Sequence, residues 1–256
     1  MTARRLATAA ELHELAGGDP YALQVDDSVA GLWAGDGGSL AWLVPSPRYP
    51  GSGHLVCLGG ADTAATLLAD VVADLDTAGD LSVGSASLPR AAVAGLPPHL
   101  RIEPANEWEW FATTTLPPVQ PAEATVRWLG EADHADIVAL LRTHSGRHDA
   151  EPGQEHAKRW CGVRDDGGDL VAVAAHTEFW GDVPFLASVA TRSDQRGRGL
   201  GGAVTAWVTR RLLEEGSPRV TLGMYSDNEV ARRVYLRLGY AVVHRFTSGR
   251  LRRDEA

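Results

Sequence analysis

The chain has 256 residues, with 24 Lys and Arg against 33 Asp and Glu, a formal net charge of −9. A composition that is 44% hydrophobic and 22% charged is that of a folded globular protein. The acidic balance argues against a nucleic-acid partner, and no run of about 18 apolar residues is present to span a membrane.

The two cysteines, Cys57 and Cys161, match no metal or redox spacing and suit the reducing cytoplasm. The charge is uneven: residues 1–123 carry 5 basic and 15 acidic side chains, a net −10, and residues 124–256 a net +1. That asymmetry points to two units. An acidic half could attract a cationic substrate, or simply keep the surface solvated.

In MTARRLATAAELHEL, Glu11, His13 and Glu14 interrupt any signal-peptide core, so a first helix is expected there. Residues 39–44 and 54–58 read as strands, and 62–78 as a helix with Leu67, Leu68, Val71, Val72 and Leu75 on one face. Trp108 to Thr115 has strand composition. Leu116-Pro117-Pro118-Val119-Gln120-Pro121 then reads as a linker, because prolines continue neither a helix nor a central strand. The expected domains are 1–120, an α/β unit, and 121–256.

The second half predicts a strand at 125–129, a helix capped at or near Asp133 and running to Arg142, and a polar loop from Ser145 to Lys158. Strands are expected at 169–179 and 183–191, joined by a turn at Gly181-Asp182. After a Gly-rich loop, Leu200, Ala203, Val204, Trp207, Val208 and Leu212 have helical spacing. A strand is expected at 219–224. Ser226 to Glu229 has the form of a capping box, the helix it starts stops at Gly239, and a last strand is expected from Tyr240 to Phe246.

Arg196-Gly197-Arg198-Gly199-Leu200-Gly201-Gly202 reads as an anion site. Glycines admit a phosphate close to the backbone, the helix start offers unpaired N–H groups and a favourable dipole, and Arg192, Arg196 and Arg198 add charge. Gly197, Gly199 and Gly202 formally match the dinucleotide pattern. That pattern wants its first Gly directly after a strand and an acid closing the next strand; here Arg192 to Gln195 intervene and 220–224 ends without an acid. No Gly-Lys-Ser/Thr follows, which excludes a P-loop.

Arg196 to Gly201 resembles the Arg/Gln-x-x-Gly-x-Gly/Ala acyl-CoA motif of the GNAT superfamily of N-acetyltransferases. Ser188 to Thr191 resembles the strand before that motif. Asp227 to Tyr240 resembles the second signature, an Asn followed by Ala, Tyr, and Gly with an aromatic. The resemblance covers about residues 124–248. It implies an α/β (α+β) fold with a mixed, mostly antiparallel sheet, splayed central strands and flanking helices, joined to the N-terminal α/β domain. A degenerate GNAT-like half is the expectation for residues 1–120.

The resemblance also implies acetyl-CoA as co-substrate, without a metal, and a small-molecule or peptide amine as acceptor. Val189, Ala190 and Thr191 would hold pantetheine, and Arg196, Gly197, Arg198, Gly199, Leu200, Gly201 and Gly202 the pyrophosphate. Asn228 would contact the cofactor or cap its helix. Tyr235 would be the general acid, or a core tyrosine. Glu178, with His176 on the same strand face, is the candidate base unless that face is solvent. Ser188 could orient water, and His144 and His148 could meet the acceptor. The chain is expected to be cytoplasmic, a monomer or homodimer. An acyl-CoA sensor without turnover is the alternative to an enzyme.

Overall fold

The computed structural model describes residues 3–46, 51–79, 81–179 and 183–254. The expected turn at Gly181-Asp182 lies outside them. The chain forms two compact units: residues up to 109 with 225–227 and the segment from 243, and residues 110–224 with 228–242.

The first unit runs β1 (Arg4–Leu6), α1 (Ala9–Leu15), β2 (Gly31–Ala34), β3 (Leu40–Pro45), β4 (Ser52–Leu58), α2 (Ala61–Ala78), β5 (Ser82–Pro89) and β6 (Leu100–Ile102). β7 (Asn106–Thr113) begins in it and ends in the second unit. The second unit continues with β8 (Arg127–Leu129), α3 (His134–His144), β9 (Ala157–Arg164), β10 (Leu170–Thr177), β11 (Phe185–Thr191), α4 (Leu200–Glu214), β12 (Val220–Tyr225) and α5 (Glu229–Arg237). β13 (Ala241–Arg253) leaves it and completes the first.

The two units share one pairing scheme. In the first, β1, β2, β3 and β4 are successively antiparallel and β4 pairs β5 in parallel, with α2 between them in sequence. In the second, β8, β9, β10 and β11 are successively antiparallel and β11 pairs β12 in parallel, with α4 between them. β13 flanks β5 in the first unit, and β7 flanks β12 in the second. The outcome is the mixed, mostly antiparallel sheet with flanking helices that the resemblance implied.

Apolar burial explains the placement of the helices. Leu67, Leu68, Val71, Val72 and Leu75 of α2 pack on Leu43, Leu55 and Cys57 of the sheet. On the second sheet, Val204, Val208 and Leu212 of α4 cover one face with Cys161, Ala172 and Ala174. Ile137, Leu140 and Leu141 of α3 cover the other, against Val173, Ala175 and Ala187. Each buried Leu, Val or Ile among them contributes about 1.5–3 kcal/mol. Among the described residues, no helix is long and apolar enough to cross a membrane.

Several expectations change. The N-terminal helix starts only at Ala9, where the Thr8 hydroxyl accepts from the Glu11 N–H; Arg4–Leu6 is a strand. The polar loop ends before Ala157, because residues 157–164 form β9 between β8 and β10. The short run Trp160-Cys161-Gly162-Val163, flanked by charge, gave that strand a weak pattern. The N-cap of α5 is Asn228, not Ser226, whose hydroxyl instead accepts from Arg90. The last strand runs on to Arg253, since its far part pairs with β5 and β6.

Candidate active site

Two parallel strands part at the centre of the second unit. β11 and β12 pair only at Phe185–Thr221 and Leu186–Leu222. Beyond Leu186 the side of β11 that faces β12 has no ladder, although Ala190 and Thr191 still pair with Val173 and Ala172 of β10 on the other side. The corresponding strands of the first unit, β4 and β5, remain paired over five positions from Ser52–Ser82 to Val56–Ser87.

A bulge begins the opening. Between the Val173–Ala190 and Ala175–Ala187 pairs, Ser188 and Val189 both oppose Ala174. An extra residue bends and twists the strand that carries it. Ser188 has φ +51°, a strained value for a residue with a Cβ. Its hydroxyl accepts from the Ala150 N–H and donates to the Ala150 carbonyl, both at 2.9 Å. Its single proton and one of its two acceptor sites are thus taken by the loop after α3.

The Gly-rich loop leads from β11 into α4. Residues 193–195 form one 3-10 turn, and Gly199 is the N-cap of α4 at φ +79°, with Gly197 at φ +78°. Only glycine adopts that backbone at little cost, which explains the R-G-R-G alternation. The first N–H groups of α4 have no intrahelical acceptors and carry the positive end of its dipole. Gly201 faces Thr191 and Gly202 faces Val234 of α5.

The three arginines differ. Arg192 is held by Asp194 at 2.8 Å, Asp165 at 3.0 Å and Asp169 at 3.3 Å, so its charge is already neutralised. Arg196 donates to the His144 carbonyl at 2.9 Å and Arg198 to the Gln195 side chain. Both are exposed and have no carboxylate partner among the described residues. Their charge is available at the helix start; that of Arg192 ties the loop down.

Tyr235 lies on α5 within the cluster that holds Leu186, Leu222 and Met224, with its ring 6.0 Å from Phe111 and 6.1 Å from Tyr240. Burial pushes its phenol up to about 12. Its hydroxyl bonds to no described residue and is not among the fully buried unpartnered atoms, so this end of the side chain meets solvent. Neighbouring Tyr240 differs: its hydroxyl is 2.6 Å from that of Thr209. Asn228 caps α5 by accepting from the Ala231 N–H at 3.1 Å, which leaves its amide N–H₂ available.

His176 and Glu178 come together near the other end of β10. Glu178 is half-buried, 3.6 Å from Lys158 and 3.5 Å from His176. His176 is buried with neither ring nitrogen in a hydrogen bond, and desolvation lowers its pKa to about 4. His148 is committed to the Ser145 carbonyl and Glu151, and His144 lies beside Ser193 at the Gly-rich loop. Both ring nitrogens of His148 are thus taken by the loop, whereas His144 keeps one ring nitrogen without a bond to a described residue. Among the described residues, no group of His, Cys, Asp and Glu is arranged to hold a metal.

The corresponding helix start of the first unit is acidic. Its α2 starts from Gly60 with Asp62 in the first turn, and the recess there is lined by Asp36, Asp62 and Asp70 with Thr63 and Thr66. Carboxylates at that helix end repel a phosphate.

Residues 123–240 match the family model for the Acetyltransferase (GNAT) family. Mycothiol acetyltransferase of Corynebacterium aurimucosum is 32% identical over 111 residues, covering 43% of this chain and 32% of that protein. The chain therefore matches about a third of that relative's length. A GCN5-related N-acetyltransferase from Sphaerobacter thermophilus has a TM-score of 0.63 at 17% identity, over 99% of this chain and 96% of that one. A tandem GNAT protein from the clavulanic acid biosynthesis pathway has a TM-score of 0.52 at 14% identity, over 97% and 98%. At those identities the structural likeness concerns the fold, and the parted strands and the Gly-rich helix start lie within residues 123–240, which match the GNAT family model.

Proposed function

We propose that the chain is an N-acetyltransferase that moves acetyl from acetyl-CoA directly to a primary amine of a small molecule or peptide. The observation that carries this reading is the gap between β11 and β12, bordered at one end by the N-terminus of α4 and sharing its core with Tyr235. The backbone groups of Val189, Ala190 and Thr191 that face the gap are the donors and acceptors for the amide-bearing pantetheine arm. The N–H groups of Arg198, Gly199, Gly201 and Gly202 are the donors for the pyrophosphate, helped by Arg196, Gly197 and Leu200 in shaping the turn. The Asn228 amide serves the cofactor as well as its helix.

In the reaction the amine nitrogen bonds to the thioester carbonyl carbon and the C–S bond breaks. Tyr235 is protonated across the physiological range and gives its proton to the departing thiolate. Glu178 takes the proton that the ammonium must lose before attack. The name of the Corynebacterium relative favours a small-molecule acceptor as the first to test. The first unit we read as a degenerate copy of the second, supported by the common pairing scheme and by the acidic start of α2.

The test is thiol release from acetyl-CoA over a panel of primary amines. Amine-dependent release is the expected result; coenzyme A binding without release by any amine would make the chain a sensor instead.

A further inference from the structure

The base of the proposed reaction already holds an amine of the chain itself. Lys158 is the single lysine of the sequence. Its Nζ lies 3.6 Å from Oε2 of Glu178. A bulge brings it there. His176 of β10 pairs with Arg159 and the next residue, Thr177, with Ala157, so Lys158 is an extra residue in β9. An extra residue of this kind re-aims the side chains around it. Pairing resumes at once, with the Glu178 N–H donating to the His156 carbonyl at 2.9 Å.

Among the described residues, Lys158 is the one cation on Glu178. Arg159 is taken by Glu215 through bonds of 3.1 Å and 2.5 Å. His176, 3.5 Å from the other Glu178 oxygen, is buried and neutral at physiological pH. The Lys158 side chain is 42% exposed, and exposed pairs are weak, so the ammonium leaves readily. The reacting end of the cofactor comes to the same row of the sheet. β11 and β12 close at Leu186–Leu222, where an arm laid from Thr191 to Val189 ends. Leu186 pairs with His176, and His176 with Arg159. Two strand spacings therefore separate β9 from Leu186, about 10 Å. The four-carbon stem of Lys158 covers part of that distance.

We infer that Lys158 is a self-acetylation site, at which the chain transfers acetyl from acetyl-CoA to its own side chain. The inference rests on the acetyltransferase reading with Glu178 as base. The Lys158 nitrogen bonds to the thioester carbonyl carbon and the C–S bond breaks. Two protons leave the ammonium. One goes to Glu178 and on to solvent, and the other balances the proton that the departing thiolate takes from Tyr235. The products are an amide at Lys158, coenzyme A as the thiol and one proton. The amide carries no charge, so Glu178 is then open to a free amine.

The test incubates the full chain with acetyl-CoA, without any amine, and follows intact mass and peptide maps. Wild type should gain one acetyl group at Lys158, at a rate per chain that dilution does not change. K158R should gain none at that position. E178Q and Y235F should gain it about 10²–10⁴-fold more slowly. Acetylation of E178Q and Y235F as fast as wild type would overturn the inference, leaving only uncatalysed chemistry on an exposed lysine. A rate per chain that rises with protein concentration, or a wild type that stays unmodified at Lys158, would overturn it too. If that unmodified wild type releases thiol with a free amine, the acetyltransferase reading still stands. Lys158 modified through Glu178 and Tyr235, with no thiol release by any free amine, would support Lys158 and contradict the free-amine reading instead.

Discussion

Replacing Ser188 by alanine should destabilise the second unit more than replacing it by glycine, the reverse of the usual order inside a strand. Glycine in a strand ordinarily costs about 0.5–1 kcal/mol relative to alanine. At φ +51°, however, a residue with a Cβ carries about 1–2 kcal/mol of backbone strain that glycine lacks. Both variants lose the two 2.9 Å bonds to Ala150. A buried backbone group left without a partner costs about 1–3 kcal/mol. Each variant should therefore lose roughly 2–4 kcal/mol, with S188G the more stable by about 1 kcal/mol. Scanning calorimetry of the three proteins reads this, using the transition of the second unit if the two units melt separately. Acceptor KM should rise in both, because residues 145–156 lose their tie to the bulge. S188A melting at or above S188G would refute the strained bulge, and with it the explanation of where the gap begins.

Other outcomes follow from the same site. Y235F should lower kcat by about 10²–10⁴-fold with Kd for coenzyme A unchanged, measured by thiol release and calorimetry; full turnover would remove Tyr235 from the mechanism. R192A should raise KM for acetyl-CoA several-fold with kcat nearly constant, because Arg192 orders the Gly-rich loop through Asp165, Asp169 and Asp194; exposed pairs contribute only about 0.2–1 kcal/mol each, so melting should move little. Stability should fall with acid. Burial lowers His176 and His54 from 6.5 to about 4, so the unfolded chain binds protons that the fold refuses as pH drops from about 6.5 to about 4, and nothing is lost above that window. Urea midpoints that stay flat from pH 7 to 4 in wild type, or that fall as steeply in H54N, would contradict this.

Much of the site was legible because local chemistry dictates it. The R-G-R-G run announces a backbone that a phosphate can approach, and the apolar spacing from Leu200 to Leu212 announces the helix whose start it forms. The remainder depends on long-range pairing. β9 was hidden because Trp160 and Cys161 pack on opposite faces within a short run interrupted by Gly162. The continuation of β13 past Phe246 was hidden because the strands it joins, β5 and β6, lie far away in sequence. Arg192 looked like a phosphate ligand until Asp165 and Asp169 from the β9–β10 turn were seen beside it. His148 has the residue type of a substrate contact, but both its nitrogens serve the loop.

The central claim is that the parted strands hold coenzyme A, and a crystal structure of the chain with coenzyme A tests it most directly. The account predicts pyrophosphate on the N–H groups of residues 198–202, pantetheine along Val189 to Thr191 between β11 and β12, and sulfur within reach of the Tyr235 hydroxyl. Coenzyme A bound at α2, or lying outside a gap closed by continued β11–β12 pairing, would contradict it.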